Sequence, residues 1–391
     1  MFFNQPQLTP ARFLRDHWQR KPLLLRQAFP DFKPLLEADD IAGLACDALA
    51  ESRLITGHFP MPDWTVRYGP FDEEDFENLP ERDWTLLVQD VEKHYPPLCT
   101  LLARFSFLPR WRIDDLMVSV AGPGGSVGPH VDQYDVFLLQ AAGRRRWEIS
   151  ASFEADLLPD CELNVLRKFT AEQSWELDPG DMLYLPPGIA HHGVAMDYEP
   201  ATGDREVARE HCMTWSIGMR APSAADLLQS FGEWLAESPD EGGRYRDPDP
   251  LESSPSGQIS HDAIEGLRKL ARETMGDEAR FAEFLGVFLS RYRLAHEPAP
   301  PRRRTSPRVV LDALQRGARL RQHPWTRLAW IETPTGTLLF AAGSAFSCAP
   351  TLAALLCDPE ALQAASISQL SADPVLLSEL INGGHLLVET L

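Results

Sequence analysis

The chain has 391 residues, a formal charge of −20, 44% hydrophobic residues, 33 prolines and 25 glycines. That length predicts two or three domains, and the Pro/Gly content points to a turn-rich β protein with linkers rather than a helical bundle. The charge disfavours nucleic acid and anionic membranes and permits a basic protein partner. With no apolar run of about eighteen residues, no leader-like start and six scattered cysteines lacking a C-x-x-C pair, a cytoplasmic chain with reduced thiols and no membrane span is expected.

Thr9 and Pro10 read as the cap and first position of a helix whose apolar stripe is Phe13, Leu14 and Trp18. A strand is expected over Lys21–Arg26 and a helix from Asp40 through Ala50, with Ile41, Leu44, Ala45 and Leu49 on one side. The acids Asp72 to Asp75 and Glu77 read as a solvated loop before a strand at Trp84–Gln89. From Trp111 to Pro222 the pattern is β-rich, with candidate strands at Leu116–Ala121, Val131–Ala141, Arg145–Ile149, Gln173–Leu177, Met182–Leu185 and Met213–Met219. Short strands punctuated by Pro, Gly and Asp predict an antiparallel barrel or jelly roll, with a small ligand in its mouth.

Residues 223–295 turn helical, at Ala224–Leu235, His261–Thr274 and Glu278–Arg293, and read as a packing or dimer element. His296 to Pro307 is a linker by composition. Beyond it, a helix at Val309–Arg316, a hairpin around Thr333-Pro-Thr-Gly336, two or three helices and a strand at the end of Gly383–Glu389 form a winged-helix-like layout. Residues 309–391 hold four Arg, no Lys and seven acids. Nucleic-acid binding needs a basic face, so this module is expected to make protein contacts.

The chemistry concentrates in two segments, Gly-Pro-His130-Val-Asp132-Gln-Tyr-Asp and Asp178-Pro-Gly-Asp-Met-Leu-Tyr-Leu-Pro-Pro-Gly-Ile-Ala-His191. Residues two apart on a strand share a face, so His130 and Asp132 reach one ion together. A rigid Pro-Pro-Gly turn presents His191. Two His and one carboxylate form the facial triad of non-haem Fe(II) oxygenases, with positions left for a co-substrate and O2. His192 faces the other way and reads as a surface residue or a support to the ligands.

Several further stretches carry a resemblance: Phe13…Trp18…Lys21-Pro-Leu-Leu-Leu, Trp111-Arg-Ile-Asp-Asp-Leu-Met, Gly124-Gly-Ser-Val-Gly-Pro-His130, Gly143-Arg-Arg-Arg-Trp147 and Arg220-Ala-Pro222. With these the chain resembles the bacterial ribosomal oxygenases of the JmjC (cupin-like) Fe(II)/2-oxoglutarate dioxygenases. The resemblance implies a double-stranded β-helix (jelly roll) in residues 1–222 with its core at about 95–222, a helical dimerisation region in 223–300 and a winged-helix-like domain in 305–391. It implies 3-hydroxylation, on Cβ, of an arginine in a basic large-subunit ribosomal protein by a homodimer. A histidyl hydroxylase, a demethylase and a non-catalytic scaffold are the alternatives.

By position, His130, Asp132 and His191 match the iron ligands. Arg145 matches the basic residue that holds the distal carboxylate of 2-oxoglutarate, and Ser216 matches a hydroxyl beside it. Strand alternation lets only the middle of Arg144, Arg145 and Arg146 share a face with Trp147. Asp114, Asp115 and Asp135 are candidate acids for the substrate, each equally readable as a structural residue. The segment from Ala195 to Glu210 is longer and more polar than the resemblance leads one to expect, and suggests a loop near the site mouth.

Overall fold

The Thr9 hydroxyl accepts the Arg12 N–H at 3.2 Å and Pro10 takes the first turn of α1 (Pro10–Asp16), as the sequence predicts. The computed structural model describes residues 2–197, 211–239, 242–247 and 257–389. Its contacts divide the chain into two units, Met1–Ala221 and Pro222–Leu391.

Among the described residues the first unit has twelve strands: β1 (Leu23–Leu25), β2 (Ser52–Thr56), β3 (Thr65–Tyr68), β4 (Trp84–Val88), β5 (Ile113–Ala121), β6 (His130–Val131), β7 (Val136–Ala142), β8 (Arg145–Ser150), β9 (Gln173–Leu177), β10 (Met182–Leu185), β11 (Ala190–Ala195) and β12 (Cys212–Met219). They form an eight-stranded antiparallel sheet, β1-β10-β7-β12-β5-β4-β2-β3, and a four-stranded one, β6-β11-β8-β9. This is the jelly-roll layout of a double-stranded β-helix. The outer face of the large sheet, through Phe137, Tyr184 and Trp215, packs on a dry aromatic layer that includes Phe3, Phe13 and Phe105. Its inner face sets Val136, Leu138, Leu183 and Leu185 against Trp147, Ile149 and Leu177 of the small sheet. A strand covered on both sides loses its polar alternation, which is why β7 is apolar apart from Gln140.

Three expectations need correction. The strand over Val131–Ala141 is two strands, because the chain switches sheets there: the Asp132 carbonyl accepts the Gly188 N–H at 2.8 Å and the Asp135 carbonyl accepts the Met219 N–H at 3.0 Å, outside either ladder. The second helix, α2 (Ala38–Ala45), stops short of Ala50, since the Ala45 carbonyl takes the Phe71 N–H at 3.0 Å and leaves Leu49 exposed. The acid cluster is a short helix, α3 (Glu73–Glu77), closed by reciprocal bonds between Asp72 and Asp75. Short helices α4 (Val91–His94) and α5 (Cys99–Leu102) follow β4. The expected loop at 195–210 lies, from residue 198 on, outside the described residues.

The second unit runs α6 (Ala224–Glu237), α7 (His261–Met275), α8 (Glu278–Arg291), α9 (Pro307–Gln315), β13 (Arg319–Gln322), β14 (Leu328–Thr333), β15 (Gly336–Ala341), β16 (Ser344–Cys348), α10 (Pro350–Cys357), α11 (Pro359–Gln363), α12 (Ile367–Leu370), α13 (Pro374–Asn382) and β17 (Leu386–Glu389). The hairpin around Thr333–Gly336 is present and gains a third strand, while β13 pairs with β17. Leu314, Leu339, Leu352, Leu377 and Leu380 centre its core. Helix α8 touches both α6 and the β14–β16 sheet, and Gly286 lets it press directly on the Phe340 ring. No helix among the described residues is long and apolar enough to cross a membrane.

Candidate active site

The register of the small sheet builds the site. His191 pairs with His130 on one side and Ile149 on the other, and Gly193 and Ala195 pair with Trp147 and Arg145. Cross-strand partners share a face, so His130, His191, Trp147 and Arg145 all belong to the inner face. Asp132 follows β6 in the sheet-switching turn. Its Oδ2 lies 3.6 Å from His191 Nε2 and 3.9 Å from His130 Nε2. One ligand atom from each of the three residues lies within 4.8 Å of the others. That spacing suits three bonds of roughly 2.1 Å to one ion.

Each imidazole is oriented from behind. His130 Nδ1 lies 2.9 Å from the Gly128 carbonyl and His191 Nδ1 lies 3.0 Å from the Ile189 carbonyl. An Nδ1–H donated to a carbonyl leaves the Nε2 lone pair aimed at the cluster. Burial, then the neighbouring His130, pushes His191 down to about 4, so its ring is neutral near pH 7. Gly188, at φ +81°, makes the turn that lets its N–H hold the Asp132 backbone. His191 is 3% exposed, whereas the side chains of His130 and Asp132 are 23% and 22% exposed, so the cluster is open on their side.

His192 faces away from the cluster as expected, yet it is buried rather than superficial. Its Nδ1 is 3.5 Å from Glu148 Oε2, and its ring meets Phe59 and Phe169 edge-on. Burial pushes it down to about 4.

Arg145 is 3% exposed while Arg146 beside it is exposed, which is the alternation the sequence predicts. The guanidinium lies 5.8 Å from the Trp147 ring centre, and its Nη1 reaches the Gly193 carbonyl at a long 3.5 Å. Arg145 Nε and Nη2 and Trp147 Nε1 are buried donors that meet no acceptor among the described residues. Buried unpaired donors are costly, and a cation with two of them demands an anion rich in acceptors. Ser216 is on the inner face of β12, opposite Leu138 and Met117. Ser119 and Thr214 share that face; Ser119 Oγ donates to the Thr214 carbonyl at 3.3 Å and Thr214 Oγ1 donates to Gln140 at 3.0 Å. The sequence reading missed Trp147 as a donor and these two hydroxyls, which a period-two count along β5 and β12 would have found.

The three candidate acids separate. Asp114 accepts from Arg220 Nε at 3.0 Å. Asp135, fully buried, accepts from Arg112 Nη2 at 2.9 Å, Tyr184 Oη at 2.6 Å and Gln19 Nε2 at 3.1 Å. Both therefore hold structure together. Asp115 is half-buried on the inner face, beside Gly218 of β12, and its shielded Oδ2 meets no donor among the described residues. Burial first, then the charges of Glu92, Asp90 and Asp114, pushes its carboxyl up to about 8. Across the sheet Gly218 is level with Val136, the first residue after the turn that carries Asp132, so Asp115 sits at the triad's end of the barrel.

Comparison with known proteins agrees with this geometry. A JmjC domain family model matches residues 100–227, and a ROXA-like winged helix model matches residues 271–387. The ribosomal protein uL16 3-hydroxylase of Escherichia coli (strain K12) is 36% identical over 306 residues, which span 78% of each chain. A crystal structure of E. coli ycfD superposes with a TM-score of 0.85 at 31% identity, covering 98% of this chain and 99% of that one. A structure of YcfD, described as a ribosomal oxygenase from E. coli, in complex with cobalt and 2-oxoglutarate gives a TM-score of 0.81 at 32% identity over the same shares.

Proposed function

Since the chain belongs to the JmjC ribosomal oxygenases, we propose that it is an Fe(II)- and 2-oxoglutarate-dependent dioxygenase that hydroxylates Cβ of an arginine in a large-subunit ribosomal protein, with uL16 the first to test. The observation that carries this reading is the pairing, on one inner face, of a His–Asp–His cluster with a buried guanidinium that lacks an anion. Two imidazoles and a carboxylate suit Fe(II) and leave positions for other ligands. Unpaired donors on Arg145 and Trp147 suit the far carboxylate of a dicarboxylic co-substrate, and Ser216 adds a hydroxyl from the facing sheet.

In this reading His130, Asp132 and His191 hold the metal, and the carbonyls of Gly128 and Ile189 fix the two rings. Arg145 grips 2-oxoglutarate by its distal end. Along β11, Ala195 opposite Arg145 is about 13 Å from His191 at strand rise, a span that the arginine side chain and the co-substrate fill together. Bound iron supplies the oxidising chemistry, in which 2-oxoglutarate and O2 become succinate, CO2 and a hydroxyl on the substrate carbon. The inner apolar residues Leu138, Ile149 and Leu183 keep water from that end of the barrel. Asp115 accepts the target guanidinium through charge-assisted hydrogen bonds, which favours arginine over a neutral imidazole.

His130→Ala and Asp132→Ala are the direct test. Each should lose Fe(II) binding in anaerobic titration and more than about a hundredfold in succinate production, since even residues that merely orient metal ligands are worth ten- to a hundredfold. Unchanged turnover removes the assigned triad. Intact mass of a uL16 peptide after incubation with enzyme, iron and 2-oxoglutarate should rise by the mass of one oxygen atom. An increment located on histidine, or a lost methyl group, favours the other chemistries instead.

The same reading makes residues 223–300 a homodimerisation region and 305–391 a domain for protein contacts in the cytoplasm. Support comes from α7, which buries no residue of its own and leaves Ile264 and Leu267 exposed. Sedimentation of Leu267→Asp tests it: a monomer is the expected result.

A further inference from the structure

Strand β4 ends at Val88, where it pairs with Val118, so among the described residues β5 before Val118 has β12 on one edge and no strand on the other. The chain instead turns at Asp90, in left-handed backbone with φ +55°, and lays α4 along that edge. The Glu92 carboxylate takes the place of a strand: its Oε2 accepts the Leu116 N–H at 2.9 Å. Asp90, Glu92 and Lys93 are all buried. Lys93 Nζ bonds Asp90 and lies 3.8 Å from Glu92 Oε1. The residue next to Leu116 is Asp115.

Three carboxyl groups, Asp90, Glu92 and Asp115, thus belong to this stretch of β5 and its covering helix, and among the described residues Lys93 is the ammonium whose charge opposes those around both Glu92 and Asp115. Asp114, on the same strand, is committed to Arg220, and the facing residue of β12 is Gly218, which brings no charge. Uncompensated negative charge in a poorly solvated site is relieved by taking up a proton or by binding a cation. The directions agree: burial pushes Glu92 up to about 6 and Asp115 up to about 8, with Lys93 opposing both.

We propose that Asp90, Glu92 and Lys93 act as a positioning group that keeps a proton on Asp115 while the pocket is empty, and that the guanidinium of the target arginine displaces this proton on binding. The step balances. Asp115 carboxylic acid and a guanidinium cation give a carboxylate–guanidinium pair and one proton released to solvent. A neutral side chain of the same shape leaves the proton in place and gains no ion pair, so the pocket selects for charge as well as shape. Binding strengthens by about tenfold per pH unit as pH rises toward the Asp115 titration and levels off above it. The inference rests on Asp115 as the acceptor of an arginine.

The test is calorimetric titration of the full-length enzyme, loaded with Fe(II) and 2-oxoglutarate without oxygen, with an arginine-bearing uL16 peptide at pH 7 in buffers of different ionisation enthalpy. About one proton released per peptide is expected. Glu92→Gln keeps an oxygen for the Leu116 N–H but removes a charge, so the peptide should still bind, with less proton release and a pH profile displaced to lower pH. Wild-type binding without proton exchange overturns the inference and leaves the arginine reading intact. The buffer series on wild-type enzyme decides this even where a variant fails to fold. An unaltered pH profile in Asp115→Asn also overturns it. Failure of the arginine peptide to bind, where a histidine peptide binds, removes the arginine reading itself.

Discussion

Asp135 and Asp115 serve the same large sheet from opposite sides, and the chain equips them differently. Asp135, on the side of the N-terminal layer, is closed by a guanidinium, a phenol and an amide. Trp18 stacks on Tyr184 at 5.8 Å, and the Arg112 guanidinium lies 5.5 Å from the Trp18 ring, completing that arrangement. Asp115, on the inner face, keeps an oxygen without a donor among the described residues, under the charges of Glu92, Asp90 and Asp114. A carboxylate with every lone pair answered stabilises the fold. One left partly unanswered reserves binding capacity for something outside the chain, at a cost to stability.

Substitutions should pull these two sides apart. Asp135→Ala should have the largest effect, about 3–5 kcal/mol in denaturant unfolding, because Arg112 is left without its buried partner. Arg145→Ala should do the reverse. Little stability is lost, but the KM for 2-oxoglutarate rises by about 1.5–3 kcal/mol, a factor of roughly ten to 150, the range for hydrogen bonds to a charged group. A stability loss with co-substrate dependence unchanged would place Arg145 among the structural residues.

Asp115→Asn should gain stability at pH 8 while losing peptide turnover. The sign follows from a carboxyl whose folded value is raised. Its penalty is absent below the unfolded value near 4 and grows as pH climbs toward about 8. The Tm difference between variant and wild type should therefore widen from pH 5 to pH 8; a flat difference contradicts the assignment. Tyr184→Phe should have the smallest effect, about 1 kcal/mol, since Asp135 retains two donors.

How far the sequence revealed this depends on the residue. The burial of Arg145 beside an exposed Arg146 was legible because a strand fixes which neighbours share a face; His130, Asp132 and His191 stood out by spacing and by the Pro-Pro-Gly turn, although Asp132 lies in a turn after β6 and not on a strand. The barrel strands at Gln173–Leu177 and Met182–Leu185 were legible because Pro-Gly turns bound them. Strands β2 and β3 were not, since β3 at the sheet edge is largely exposed and carries little apolar pattern. Glu92 and Lys93 look like surface charges in the sequence. Only the early end of β4 draws them inside, and that is a property of the assembled sheet. Asp114 and Asp115 are chemically identical neighbours, so only the face each one meets distinguishes the carboxylate paired with Arg220 from the one with an unanswered oxygen.

Trp147 lies flat in the barrel because residue 193 is glycine: a methyl group there would stand 2.6 Å from the indole. The indole wall between the His–Asp–His cluster and Arg145 is therefore set by a missing side chain on the opposite strand. Such a wall can be retailored. Alanine at 193 would force the ring to move, whereas a smaller ring at 147 would open space beside Arg145 for a bulkier keto acid. Paired with such an analogue, the enlarged channel would let this one oxygenase be switched on inside a cell that contains many others.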